Sequence, residues 1–252
     1  MNNISIIIAS YNKLEQLKKV ISSIRVRIKQ GDQLVIVDDG SSDGSQEYIK
    51  NLDIDINYDY HLQEDKGYRL STVRNKGIEL VENDCIVQLD DDYLLTGNVL
   101  NKARELFDKD KFIIFRRDEM DEENNIIRDE RVRLNWTKDK VGSNLFKFIP
   151  GGNPLRISAI WGMVMYSKEV AEYVGGYSEA YNQNWGAEDC DFGTRFLYAG
   201  CDVLYYIGEK CVHLEHEKRP NRFIERKKNT EILDKKLEEY RMLKKFNNDS
   251  EI

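Results

Sequence analysis

The chain has four cysteines in 252 residues, and no two of them form a CxxC pair. Cys85, Cys190, Cys201 and Cys211 are scattered, which argues against a zinc site and for four thiols in a reducing cytoplasm. Long apolar runs are missing too. Ile4 to Ala9 is too short for a leader's apolar core, and Met1-Asn2-Asn3 offers no basic segment ahead of it. No stretch approaches the ~20 residues of a membrane span. An excess of positive charge is also absent. The 38 Lys and Arg are outnumbered by 45 Asp and Glu, a net charge of -7 that disfavours broad nucleic-acid binding. GxGxxG, GxxxxGK[ST] and HExxH do not occur, so dinucleotide redox, P-loop and zincin chemistry lack their motifs. There is no internal repeat and no low-complexity segment. What remains is a soluble globular chain, sized for one large α/β domain or two small ones.

What is present first is alternation. Ile4 to Ala9 is a β-branched run ended by Ser10-Tyr11-Asn12, and it reads as a buried parallel strand. Leu14, Leu17, Val20, Ile21 and Ile24 then recur at helical spacing. Gln33 to Val37 is a second strand, stopping at Asp38-Asp39-Gly40, and Ser41 to Ser45 can cap the helix begun by Tyr48-Ile49. Ile54 to Tyr60 is a weaker strand, Thr72 to Val81 a helix, and Cys85 to Leu89 a strand ending at Asp90-Asp91-Asp92. Phe112 to Phe115 and Asp202 to Ile207 add strands, and residues 116–145 read as charged and irregular. Ser167 can cap a helix over Lys168 to Val174. Such alternation predicts a mostly parallel sheet with helices on both faces. Ligands of such sheets collect at the carboxyl ends of the strands, where this chain gathers its acids.

Three constellations carry chemistry. Asp90-Asp91-Asp92 is either a solvated turn or a divalent-cation site shared with substrate phosphates, and hard oxygen ligands suit magnesium or manganese. Asp38 to Gly44 fails as a calcium loop, because Lys50 stands where a bidentate Glu is needed. Arg69, in the Gly67 to Asn75 segment, reads as part of a surface loop entering a helix. The densest cluster is Asn184-Trp185-Gly186-Ala187-Glu188-Asp189-Cys190-Asp191. A helix N-terminus could hold Asp191 and Glu188 through its dipole. It does not account for Trp185, whose flat ring beside carboxylates is what a sugar site needs. His213 and His216 follow the last strand, and neutral imidazole would suit manganese beside carboxylate oxygens.

IIIASYN, VIVDDGSSDGS, GYRLSTVRNKGI, VQLDDDYL, NQNWGAEDCDFGTRFLYAG and VHLEHEKRP, in this order, resemble the family 2 glycosyltransferases of GT-A fold from Ile4 to about Arg219. Within them the order is similar to the transferase halves of bacterial chondroitin polymerases. The WGAED element also resembles the acceptor-side motif of β-1,4-galactosyltransferases and polypeptide GalNAc-transferases. The resemblance implies a UDP-sugar donor, a glycan or lipid-linked acceptor, and Mn2+ or Mg2+. It implies that Ser10, Tyr11 and Asp39 hold uracil and ribose, that Arg74 lies near the diphosphate, and that Asp90 and Asp91 line the donor site. Asp92 and His213 would hold the metal, with His216 the weaker candidate. Asp189 would be the catalytic base, Glu188 would bind sugar hydroxyls, and Trp185 would be the sugar platform. A nucleotidyltransferase, or a binding module without turnover, is the competing reading. Two departures stand out: Trp161 occupies the place of a small element found earlier here as Gly151-Gly152-Asn153, and Ala187 replaces the second glycine of WGGED.

The expected organisation is a GT-A domain over 1–219, with a nucleotide-binding half over 1–95 and an acceptor half over 96–219, then a helical tail over 220–252. Leu233, Leu237, Tyr240 and Leu243 lie on one stripe of that tail. The stripe can pack on the domain or lie in a membrane interface. The expected location is the cytoplasm, free or at the inner face of the membrane.

Overall fold

The computed structural model describes residues 2–121, 123, 125–129, 137–148, 157, 162–217 and 219–240. The chain runs β1 (Ile4–Ser10), α1 (Leu14–Arg25), β2 (Gln33–Asp38), α2 (Ser45–Lys50), β3 (Asn57–Leu62), α3 (Leu70–Leu80), β4 (Cys85–Asp90), β5 (Tyr93–Leu95) and α4 (Val99–Leu106). It continues through β6 (Lys111–Met120), β7 (Ile126–Asp129), β8 (Thr137–Gly142), β9 (Leu145–Phe148), β10 (Val164–Ser167), α5 (Lys168–Tyr173), α6 (Glu188–Tyr198), β11 (Asp202–Leu214) and α7 (Arg222–Tyr240).

One sheet carries the molecule, in the order β3-β2-β1-β4-β10-β6-β11-β9-β8, with β5 on β11 and β7 on β6. Strands β3, β2, β1 and β4 are parallel, and β1, β2 and β4 carry the apolar runs of buried parallel strands, while β3 at the edge of the sheet is polar and only partly buried. β10 is antiparallel to both β4 and β6, and β6 and β11 are parallel again. Successive residues of β1 face opposite layers. Ile4, Ile6 and Ile8 join α1 and α4 side chains on one face, and Ile7 and Ala9 join α3, α5 and α6 side chains on the other. The α3 layer sits so close that a Cβ on Gly77 would come within 2.5 Å of Ile7 Cγ2. This is the mostly parallel, helix-flanked sheet the sequence predicts.

Register sets the functional edge. Ser10 is level with Asp38 across β1–β2, and Ala9 with Asp90 across β1–β4. Three strand ends therefore open on one side. β11 extends well past the expected Ile207. Its register slips between Tyr206 and Lys210, after which it pairs β6 again through Leu214. Such an irregularity re-aims a strand without ending it. Here it carries His213 back to the strand ends. Residues 116–145, expected to be irregular, instead supply the end of β6, strands β7 and β8 and the first residue of β9 where described. Their charged composition hides the period of two because these strands lie towards the rim of the sheet.

Ser167 caps α5 as expected, accepting a hydrogen bond from Val170 N. The tail forms α7, and Leu233, Leu237 and Tyr240 pack in one cluster with Tyr181, Ala187 and Cys190. The described part of the apolar stripe thus faces the domain. Leu243 lies outside the described residues. No helix among the described residues is long and apolar enough to cross a membrane.

Candidate active site

The edge is built first from β1 and β2. Ser10 is buried, and its Oγ has no partner among the described residues. Tyr11, at the mouth, donates its backbone N–H to Asp91 Oδ2 (3.0 Å) and its hydroxyl to Asp65 Oδ2 (2.9 Å). Asp39 accepts from Arg69 N (3.0 Å), Arg69 Nη2 (3.1 Å) and Gln63 Nε2 (2.5 Å). Arg69 is therefore no free surface residue; it orients the carboxylate nearest the expected base site. The signal that could have found it is a cation close in sequence to an edge lined with acids, like Lys13 and Arg74 at the same edge.

The Asp triplet divides between two networks. Asp90 accepts from Arg74 Nη2 at 3.0 Å. Asp91 and Asp92 are buried and share the Lys13 ammonium. Burial pushes the Asp91 carboxyl up to about 7, and Asp92 adds repulsion against the attraction of Lys13. Asp92 behaves oppositely. Burial opposes its charge, but the His213 and His216 rings beside it, with Lys13 nearby, hold it well below the usual carboxylate range. The backbone explains why His213 arrives here. β5 pairs antiparallel with the end of β11, setting Tyr93 opposite His213, and Leu214 N donates to Asp92 O at 2.9 Å.

Among the described residues, Asp92, His213 and His216 form the group that could hold a metal. Their ligand atoms lie within 4.8 Å of one another. His216 Nε2 is 3.1 Å and His213 Nε2 3.7 Å from Asp92 Oδ2. Asp92 Oδ1 is buried without a partner among the described residues. One carboxylate and two imidazoles suit manganese, and an orphaned buried oxygen is what such a site leaves to its ion. Both histidines, His213 and the one expected to be the weaker candidate, His216, stand beside Asp92.

The acidic pair comes from the start of α6. Gly186 and Ala187 take left-handed backbone (φ 89° and 75°), and the helix begins at Glu188. A non-glycine residue at positive φ is uncommon, so Ala187 marks a held conformation. Glu188 is buried and Asp189 half-buried. Arg74 joins the two halves of the site: Nη1 donates to Glu188 Oε1 (3.2 Å) while Nη2 holds Asp90, and its guanidinium lies 5.2 Å from the Tyr177 ring centroid. Burial raises the Glu188 carboxyl to about 7, helped by Asp189 and opposed by Arg74. Burial also raises Asp189, against Arg74 and the Cys190 N–H. Asp191 is different in kind. Fully buried, it accepts from Arg195 Nη2 (2.8 Å), Tyr181 OH (3.1 Å) and the Tyr240 hydroxyl, which makes it structural. Trp185 is half-buried, with its N–H on Glu225 Oε2 of α7 (3.0 Å). Trp161 and Gly151-Gly152-Asn153 lie outside the described residues.

Glu188 makes a pH prediction with a definite sign. Its folded pKa of about 7 exceeds the ordinary 4.5, so the folded state holds the extra proton between those values. Stability is then greatest below about 4.5 and is lost as pH rises through about 7. The melting temperature of wild type should fall relative to Glu188→Gln across that window and run parallel above it. A constant difference at all pH values would contradict the assignment.

Comparison with known proteins agrees with this geometry. The family described as "Glycosyl transferase family 2" matches residues 5–174, and "N-terminal domain of galactosyltransferase" matches residues 152–217. Chondroitin synthase of Pasteurella multocida (strain Pm70) is 26% identical over 86% of this chain and 25% of its own length. Chondroitin synthase of Escherichia coli is 23% identical over 88% of this chain and 36% of its own. The chain thus spans only a quarter to about a third of those relatives. Among solved structures, GalNAc-T7 with UDP, GalNAc and Mn2+ superposes with a TM-score of 0.63 at 15% identity, covering 86% of this chain and 45% of that one. S. aureus TarS gives 0.62 at 14% identity, over 93% and 39%. These likenesses establish the GT-A fold.

Proposed function

The chain belongs to glycosyl transferase family 2, and from that premise we propose that it moves a hexose or N-acetylhexosamine from a UDP-sugar to a hydroxyl of a glycan or lipid-linked acceptor, with inversion, during synthesis of a surface polysaccharide. It is a glycosyltransferase. The observation that carries the finer reading is the Arg74 bridge. One buried guanidinium ties Asp90, at the end of β4, to Glu188, at the start of α6. The strand ends and the acidic pair therefore form one site.

In this reading residues 1–95 bind the nucleotide, 96–219 shape the acceptor side, and 220–252 are a tail. Ser10, Tyr11 and Asp39 hold uracil and ribose, with Asp39 already oriented by Arg69 and Gln63. Asp90, Asp91 and Arg74 line the donor sugar and diphosphate. Asp92, His213 and His216 would hold Mn2+ or Mg2+, which when bound stabilises charge on the leaving diphosphate. Asp189 takes the proton of the attacking hydroxyl, and its burial-raised pKa brings it towards working pH, as general-base catalysis favours. Glu188 accepts from acceptor hydroxyls through Oε2, which has no protein partner among the described residues. Trp185 offers the ring on which the sugar stacks. No covalent intermediate is needed, because the base and the leaving group work on opposite sides of one displacement.

UDP release from a panel of UDP-sugars, with manganese and with or without candidate oligosaccharide acceptors, tests the reading. Acceptor-stimulated release from at least one donor is the expected result. Release of UDP from none of them, or transfer of a nucleotidyl group instead, would refute it.

A further inference from the structure

We propose that Asn229 of α7, with Glu225 one turn before it, is a positioning residue that holds the Trp185–Asp189 segment in its acceptor-binding form. This rests on the reading of that segment as the acceptor side. Asn229 is fully buried in the middle of a helix, where an amide side chain is normally a liability. Its Nδ2 reaches three backbone carbonyls at once: Tyr181 O (3.1 Å), Asn184 O (3.0 Å) and Gly186 O (2.8 Å). An amide nitrogen carries two hydrogens, so three acceptors share them in one bifurcated arrangement. These carbonyls bracket the loop that enters α6.

That loop needs holding. Gln183, Gly186 and Ala187 all lie at positive φ (72°, 89° and 75°), and two of the three are not glycine. Such backbone persists only where the surroundings over-determine it. α7 supplies the surroundings at i, i+4 spacing, the neighbours along one helix face. Glu225 Oε2 takes Trp185 N (3.0 Å), and Glu225 Oε1 takes Arg219 Nη2 (3.3 Å). Asn229 takes the carbonyls. Leu233 packs in the cluster containing Ala187 and Cys190. The grip therefore falls on backbone leading to Trp185, Glu188 and Asp189, and none of it falls on the β1, β2 or β4 ends where the nucleotide is proposed to bind. Asn229 and Glu225 act on the acceptor through the loop, without touching it.

Full-length Asn229→Ala and Glu225→Ala are expected to raise the acceptor KM or lower transfer ~10-fold or more, while the Kd for UDP with manganese stays within about twofold. Glu225→Gln keeps an acceptor oxygen for Trp185 N and should restore near-normal transfer. A second readout needs no turnover. In protein labelled with 5-fluorotryptophan, the Trp185 19F line, assigned with Trp185→Phe, should shift or broaden in both alanine variants and stay in place in Glu225→Gln. A line that moves in the alanine variants while wild type shows no sugar transfer would sink the proposed function and uphold the positioning role. An unmoved line and unchanged acceptor KM, with only the melting temperature lowered, would overturn the positioning role. If Asn229→Ala fails to fold, the two Glu225 variants decide the question by the same readouts.

Discussion

Asp189→Asn should lower acceptor-dependent turnover ~10²–10⁴-fold, the range a general base supplies, or about 3–5 kcal/mol of barrier. Its affinity for UDP should change little. The reasoning is local. Asp189 sits in the first turn of α6, half-buried, with its carboxyl raised by burial and steadied by the Cys190 N–H at 2.7 Å. Asparagine keeps the shape and the oxygen that accepts from Cys190, but it cannot take a proton. The nucleotide edge is built from other elements, so UDP has no reason to feel the change. Were Asp189 only a helix-start acid, the same variant would turn over normally with at most a lower melting temperature. Steady-state rates and UDP calorimetry on one preparation separate the two outcomes.

Asp92→Ala should abolish the manganese dependence of UDP binding. Asp92 is faced by Lys13, His213 and His216, and its Oδ1 has no partner among the described residues. Removing it leaves two imidazoles without the anion that completes the set. Even loss of a partner outside the ligand shell typically costs ~10–100-fold in metal affinity, and loss of a ligand should cost no less. Titration calorimetry of UDP with and without manganese should show tightening for wild type and no difference for the variant. Equal tightening in both would remove Asp92 from the ligand set.

The half of the fold nearest the N-terminus was legible because each of β1, β2 and β4 is an apolar run stopped abruptly by polar residues. A buried parallel strand leaves that mark and few others do. The converging acids followed directly from the alternation. Strands β7 to β9 left no such mark, because rim strands tolerate charge on both faces. The second half of β11, beyond the expected Asp202 to Ile207, was hidden because the strand's register slips between Tyr206 and Lys210 before pairing resumes. In the site, Asp92 and His213 were legible as residue types, while the placement of His216 depends on how the chain turns after Leu214. Arg69 read as part of a surface loop, and Lys13 carried no signal of its own, until the fold set acids against them. Asn229 was illegible for a different reason: its partners are backbone carbonyls, and those carry no residue signature.

Proton NMR of the reaction, begun from an α-linked UDP-sugar with manganese and acceptor, tests the central claim most directly. Wild type should convert the donor's anomeric signal into a single β-linked product, and Asp189→Asn should show almost none at matched UDP occupancy. An α-linked product, or equal conversion by the two proteins, would contradict an inverting transfer driven by Asp189.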